Sequence, residues 1–435
     1  MPKGNAVMAE KLALFGGNKT ISREFPVYNS LGVEECEAAT EVVKSGKLSG
    51  FLGSWHPDFY GGEKVKAFER AWADYFKVKH AVTVNSATSG LVIAVGAAGI
   101  EPGDEVITSP WTMCATSTAI LWWNAVPVFA DIDPETCNLD PKSVEKNITP
   151  LTRAIMIPDI MGHPADMDEI MRIARAHKLK VIEDTAQAPS ALYRGRFAGT
   201  LSDIGVFSLN YHKHIHTGEG GVCVTDDDSL FEKMLLIRNH AEAVVADKGA
   251  EDYVNMIGFN FRLGEIEAAI GIEQLKKLKR LTDSKTRAGA RLSEGLRGLG
   301  GLKTPAVRKD CTHVYYVYAM ILDLESVGVP RKNIAEALRA EGVSGLMEGF
   351  ATLHLLPVYQ KKIAYGRKGF PWQPPVYAGN VSYAKGICPV AEDYDDSRML
   401  GLQLCKHFYT DDEVDLVIKA FRKVWDNLPA LKEIP

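Results

Sequence analysis

The sequence predicts an α/β protein, a three-layer sandwich with a mostly parallel central sheet, followed by a smaller C-terminal α+β domain. Three observations carry that prediction. Short apolar runs alternate with helix-period stretches through the first two thirds of the chain. Those runs are apolar on both faces, as strands buried inside a parallel sheet must be. After about residue 262 the alternation gives way to one long helical pattern.

Taken in order, residues 64–76 place Val65, Phe68, Trp72, Tyr75 and Phe76 at helical spacing. A strand follows at 80–84, a helix of small residues from Ala87, and a strand at 105–108. Next come a helix at 114–123, short strands at 128–130 and 154–159, a helix at 167–177 and a strand at 180–184. Residues 263–281 read as one long helix, continued by a charged amphipathic stretch to Leu299. Beyond it lie a strand at 315–322, a helix at 331–341 and a closing amphipathic helix at 411–425. The predicted division is therefore 1–262, an N-terminal segment with the large domain, and 263–435, a linking helix with the small one. The Pro- and aromatic-rich stretch 366–383 reads as a surface insertion, a kind of long loop that often carries function.

A chain of 435 residues, 46% hydrophobic and 24% charged, buries large cores without disulfide or metal staples. Its net charge of −5 gives no electrostatic footprint for nucleic acid or an anionic membrane. The seven cysteines stand singly, with no CxxC pair and no His/Cys cluster of zinc spacing, which points to reduced thiols in a cytosol. Residues 1–17 lack the apolar core of a signal peptide, and no run approaches the ~18 apolar residues of a membrane span. The expectation is a soluble, cytoplasmic protein.

Four stretches carry candidate chemistry. Phe207-Ser208 ends an apolar run, and Lys213 follows just before a Gly218-Glu219-Gly220-Gly221 turn. An exposed lysine has a pKa of ~10.4 and is a poor nucleophile at neutral pH; burial, or the neighbouring His212, His214 and His216, would free the amine. Alone, Lys213 reads more readily as a solvated loop lysine. The three alternating histidines lack a carboxylate partner and make a weak metal signal. In the second stretch, 180–187, an apolar strand ends in Asp184, where a parallel sheet places its ligands. A buried aspartate there can hold a protonated ring nitrogen, or it can simply cap the next helix. The third, Asn85-Ser86-Ala87-Thr88-Ser89-Gly90, sets small polar residues between strand and helix, suited to a phosphate or to plain N-capping. It is neither a GxGxxG nor a GxxxxGK[ST] loop, so dinucleotide and nucleoside triphosphate binding lose their best support. In the fourth, Ser109-Pro110-Trp111-Thr112, the indole of Trp111 could stack on a flat ring or serve the core.

The order of these motifs, with Gly103-Asp104-Glu105-Val106-Ile107, Glu183-Asp184-Thr185-Ala186-Gln187, Gly258-Phe259-Asn260-Phe261-Arg262 and Cys388-Pro389-Val390-Ala391-Glu392, resembles the sugar aminotransferases of the DegT/DnrJ/StrS group, fold-type-I pyridoxal-phosphate enzymes. The resemblance runs over nearly the whole chain. It implies that Lys213 carries pyridoxal 5'-phosphate as a Schiff base and moves the substrate proton, and that Asp184 pairs with the pyridine nitrogen. It further implies Gln187 near the ring hydroxyl, Trp111 on the ring face, and Ala87, Thr88 and Ser208 on the phosphate. Asn260 would bind phosphate across the interface of an obligate homodimer. The implied reaction is a ping-pong transfer of an amino group from glutamate or glutamine to a keto sugar, nucleotide-linked or not, or to a cyclitol ketone. Related dehydratases carry histidine at the lysine position; the unforced register here puts Lys213 there and His214 one later. A non-catalytic cofactor-binding regulator is a further alternative, but such proteins carry an added DNA-binding module and none is visible here. Ala87 stands where many members have glycine, and Glu348-Gly349-Phe350 replaces a substrate-contacting stretch. The opening Leu12-Ala13-Leu14-Phe15-Gly16-Gly17 looks more like the subgroup acting on cyclitols.

Overall fold

A computed structural model describes residues 10–248 and 254–433. Seven strands form the main sheet: His80–Val84 (β1), Glu105–Thr108 (β2), Val126–Phe129 (β3), Thr152–Pro158 (β4), Lys180–Asp184 (β5), Ile204–Ser208 (β6) and Gly221–Thr225 (β7). Their order is β1-β7-β6-β5-β4-β2-β3. β7 runs antiparallel to both its neighbours, and the remaining pairs are parallel.

Alternating side chains send each strand into two cores. Val82, Val106, Met156, Ile182 and Val206 meet the helices Ala87–Ala97, Cys114–Trp122 and Asp228–Arg238 on one face. Ile107, Ile155 and Val181 meet the helix Met167–His177 on the other, where Phe207 and Val222 meet Glu63–Phe76. The last helix buries Val65, Phe68, Trp72 and Phe76 of the predicted stripe and leaves Tyr75 half-buried. This is the expected three-layer sandwich. Arg238 lies fully buried beneath it, its guanidinium 2.6 Å from the Glu69 carboxylate and donating to Thr83 O.

The long helix Glu265–Gly295 braces both halves. At its start Glu265 accepts the Lys64 and Val65 amides, and Gly271 leaves room for the Phe68 ring. Toward its end Ala288 and Leu292 join the core of a four-stranded antiparallel sheet. That sheet comprises Leu302–Lys303 (β8), Tyr318–Leu322 (β9), Leu346–Glu348 (β10) and Met399–Leu402 (β11), in the order β8-β9-β11-β10. The helices Arg331–Ala340 and Asp411–Asp426 cover it.

Two segments depart from expectation. Leu12, Ile21 and Phe25, grouped by sequence with the large domain, pack into the C-terminal core. The buried Glu341 fastens them, accepting the Ala13 and Thr20 amides and pairing with Lys423 at 3.0 Å. Residues 366–383 are irregular and half exposed, as expected, but they are not a free surface loop. Trp372, Tyr377 and Tyr383 are buried, and their polar ends are spent inside the protein. Trp372 Nε1–H donates to the Tyr383 hydroxyl at 2.8 Å, which donates to Pro127 O at 2.8 Å, while Tyr377 donates to Glu105 at 2.6 Å. Glycine is required at Gly103, φ +89°, because a Cβ would lie 1.9 Å from Val376 O. The segment is thus an exposed, irregular stretch that three buried aromatics clamp to the sheet edge.

Candidate active site

One cleft opens at the ends of β1, β5 and β6, lined by Ser86, Ala87, Thr88, Met113, Asp159, Asp184, Gln187, Ser208, His212 and Lys213, among others. It is where a parallel sheet presents its carboxyl ends.

The floor is a helix N-terminus. Ser86 caps Ala87–Ala97, its hydroxyl accepting the Ser89 amide at 3.1 Å. The helix is apolar all round and buried from Ser89 to Ala97, so it runs beneath the site rather than along the surface. Its free amides and positive dipole end, with the hydroxyls of Thr88 and Ser208, suit an anion. Gly221 faces them across the sheet; a Cβ there would come within 2.8 Å of the Ala87 nitrogen. Ala87 itself is helical, so its methyl group costs no backbone strain.

Asp184 ends β5. Its carboxylate accepts the Thr116 hydroxyl at 2.8 Å and the Ala186 amide at 3.2 Å, and burial pushes its pKa up. A buried carboxylate with only two donors favours a cation beside it. Asp159 and Glu183 lie deeper. Burial drives the Asp159 carboxyl well above its ordinary range, and the nearby Glu183 adds to the rise. Gln187 commits its carbonyl to the Met161 amide at 2.8 Å, leaving its NH2 as the free donor.

Lys213 is 8% exposed, in the connection between β6 and β7. Burial lowers its amine to about 8, against the opposing pull of Asp184. The flanking histidines diverge. His212 lines the cleft. His214 donates from Nε2 to Val314 O at 2.9 Å, and burial holds it near 3. The backbone N–H of His216 donates to the Gln274 side chain. They do not converge on one point, and Lys213, not His214, reaches the cleft.

One predicted contact lies elsewhere. Trp111 is fully buried in the aromatic core shared with the C-terminal half, 5.9 Å from Phe350 and 6.2 Å from Tyr394 between ring centroids. Its backbone bridges to Thr352, and the indole packs in that core rather than lining the cleft. Met113, two residues on and 59% exposed, lines the cleft instead. Asn260 is not on this chain's cleft; its side-chain oxygen accepts Arg262 Nε–H at 2.8 Å. Sequence reasoning missed Met113, Thr116 and Asp159. The i, i+4 threonine pair Thr112–Thr116, joined at 3.0 Å, was the available signal for the second of these.

An amine freed by burial, a carboxylate suited to a buried cation and a helix end suited to phosphate fit pyridoxal phosphate, and on this sheet they define a fold-type-I enzyme of that cofactor. Residues 32–374 match the DegT/DnrJ/EryC1/StrS aminotransferase family. The spore coat polysaccharide biosynthesis protein SpsC of Bacillus subtilis is 35% identical over 400 residues, covering 91% of this chain and 95% of that protein. A putative L-glutamine:3-amino-2,3-dideoxy-scyllo-inosose aminotransferase of Streptoalloteichus tenebrarius is 33% identical, covering 98% and 100%. The solved structure of DesI with its TDP-sugar product superposes with a TM-score of 0.78 at 28% identity, covering 96% and 98%. The chain belongs to the DegT/DnrJ/EryC1/StrS aminotransferase family and is a pyridoxal-phosphate-dependent aminotransferase.

Proposed function

We propose that the chain transfers an amino group from glutamate or glutamine to a ketone on a sugar, nucleotide-linked or free, or on a cyclitol, and that it does so as a cytoplasmic homodimer. The observation that carries this reading is the buried Lys213 amine, near pKa 8, in one cleft with Asp184 and the Ala87–Ala97 N-terminus. The relatives named above act on both acceptor classes, which supports keeping sugar and cyclitol together.

When bound, the cofactor supplies a protonated pyridine ring that takes up the electron pair left at the donor's Cα. Asp184 keeps that ring nitrogen protonated. Gln187 donates its free NH2 to the ring hydroxyl. Thr88, Ser208 and the amide of Ala87 would hold the phosphate, and Met113, which lines the cleft, would lie against the ring in the place assigned to Trp111. Lys213 would hold the cofactor through its ε-amine, and the same amine, freed by burial, would take the proton from the donor's Cα. Such positioned proton transfer is worth a factor of ~10²–10⁴. Asn260 reaches the phosphate of the partner subunit's site, which makes the dimer the working unit.

Borohydride reduction of the yellow holoenzyme, followed by peptide mapping, tests the lysine; an adduct on any peptide lacking Lys213 removes the assignment. Loading the enzyme as its amino form and screening keto sugars and cyclitol ketones for return of the yellow form then identifies the acceptor.

A further inference from the structure

The Lys213 amine meets an aromatic ring from the C-terminal half. Its nitrogen lies 4.3 Å from the centroid of Tyr316. Tyr316 sits in the connection between Glu265–Gly295 and β9, and its neighbours are fixed to the loops that build the cleft. Val314 N–H donates to Gly162 O at 2.8 Å, and Val317 N–H to Met161 O at 3.2 Å. Val314 O accepts from His214, next to Lys213, and the Met161 amide is the group that holds Gln187. Tyr315 adopts φ 48°, a conformation bulky residues rarely take unless packing enforces it. Here the His313 ring stacks on it at 3.9 Å, and Gly289 clears space for it: a Cβ there would lie 2.5 Å from the ring. The ring of Tyr316 is thus held over the amine by backbone that is itself anchored on both sides.

We propose that Tyr316 is a positioning residue for Lys213: the electron-rich face of its ring fixes the ε-ammonium at the cleft and stabilises its charged form. The inference rests on Lys213 being the reacting amine. The other groups facing that amine are accounted for. Asp184, from β5, also favours the ammonium. Cys405, beyond β11, is kept a neutral thiol by burial, which outweighs the pull of Lys285 and Lys213. His212 and His214 are kept neutral by burial, and burial pushes the Tyr316 hydroxyl up, so it adds no charge near neutral pH. A lysine that leaves the cofactor to act as a base must neither stay charged nor lose its charge altogether. The ring and Asp184 together offset burial and keep the amine between those limits.

The test is competitive labelling of the apoprotein with trace acetic anhydride from about pH 6 to 10, reading acetylation of Lys213 by peptide mass spectrometry. Wild type and Tyr316→Phe share a midpoint near 8, while Tyr316→Leu and Tyr316→Gln shift it down by about 0.5 to 1.5 pH units. A Leu variant with the wild-type midpoint overturns the proposal, as does a Phe variant that falls as far as Leu. Should Leu and Gln fail to fold, fluorinated phenylalanines at position 316 keep the size and drain the ring face. Their midpoints then step down with each fluorine, and a flat series overturns the proposal. The labelling needs no turnover. A wild-type enzyme that trapped no cofactor on Lys213 would therefore refute the functional reading while leaving the midpoint series to be judged separately.

Discussion

Replacing Asp184 with asparagine removes one charge at nearly constant shape, in a place where water cannot substitute for it. The amide oxygen of the new side chain can still accept the Thr116 hydroxyl, so the 2.8 Å contact survives. What is lost is the partner for a cation on the cofactor ring. Stripping one member from a buried ion pair costs about 3–5 kcal/mol. At ~1.4 kcal/mol per decade, that corresponds to a fall of about 10²- to 10⁴-fold in the rate of the first half-reaction. Stopped-flow loss of the yellow form on mixing with glutamate measures it. Two side results separate a chemical role from a structural one. Burial raises the Asp184 pKa, so its ionised form opposes folding at neutral pH. Between the unfolded and folded pKa values the unfolded chain releases the proton first, so this penalty grows as pH rises through that window. The asparagine apoprotein should therefore be no less stable than wild type in denaturant at pH 7. Asp184 also favours the charged form of Lys213 against burial, so the variant's Lys213 midpoint should drop below about 8. Retention of more than about a tenth of the wild-type half-reaction rate would refute the electrostatic argument.

Trp111→Ala should cost about 3–5 kcal/mol of stability in denaturant titration. Met113→Ala should leave stability nearly unchanged and speed cofactor loss in dialysis; the reverse pattern restores the indole to the cofactor. Glu69→Ala strands the buried Arg238 and should cost about 3–5 kcal/mol, whereas a surface pair such as Lys279–Asp283 should cost less than about 1 kcal/mol. His163 and His214 are held neutral by burial, at about 4 and about 3, and His313 well below its ordinary range. Depressed histidines make the unfolded chain bind protons first, so their contribution is intact above pH ~6.5 and lost as pH falls toward 4. Denaturant titrations across that range should steepen by up to ~1.4 kcal/mol per pH unit for each histidine, and a flat profile refutes it. Tyr383→Ala should destabilise the whole chain, since it severs both Trp372 and Pro127 from the clamp.

Strands were readable where pattern and environment agree. β2, β5 and the helix Met167–His177 fall within the predicted bounds because each is apolar on the face its period dictates. The cleft was readable as an order of motifs, since Thr88, Asp184, Ser208 and Lys213 each sit at or just beyond a strand end. Trp111 was misread because sequence distance cannot tell which of two residues, two apart, faces the cleft; the core that takes the indole is built partly from residues far along the chain. The anchoring of residues 366–383 was missed for a related reason. Proline and glycine report local backbone, whereas the burial of Tyr377 and Tyr383 depends on partners more than 200 residues away. Tyr316 was invisible for the same cause, since only the folded chain brings it to Lys213.

The reversed direction of β7 has a consequence for how the lysine moves. Had β7 run parallel to β6, the chain would have needed a crossover helix, and the segment after Ser208 would have left the site for the far face. Because it reverses, residues 209–220 form a closed hairpin whose two ends are stitched together, with Ser208 opposite Gly221 and the Leu209 amide donating to Gly220 O at 2.9 Å. A tethered arch of this sort has given up its conformational freedom during folding rather than during turnover. Lys213 can then swing on its four methylenes alone, with the peptide chain beneath it standing still.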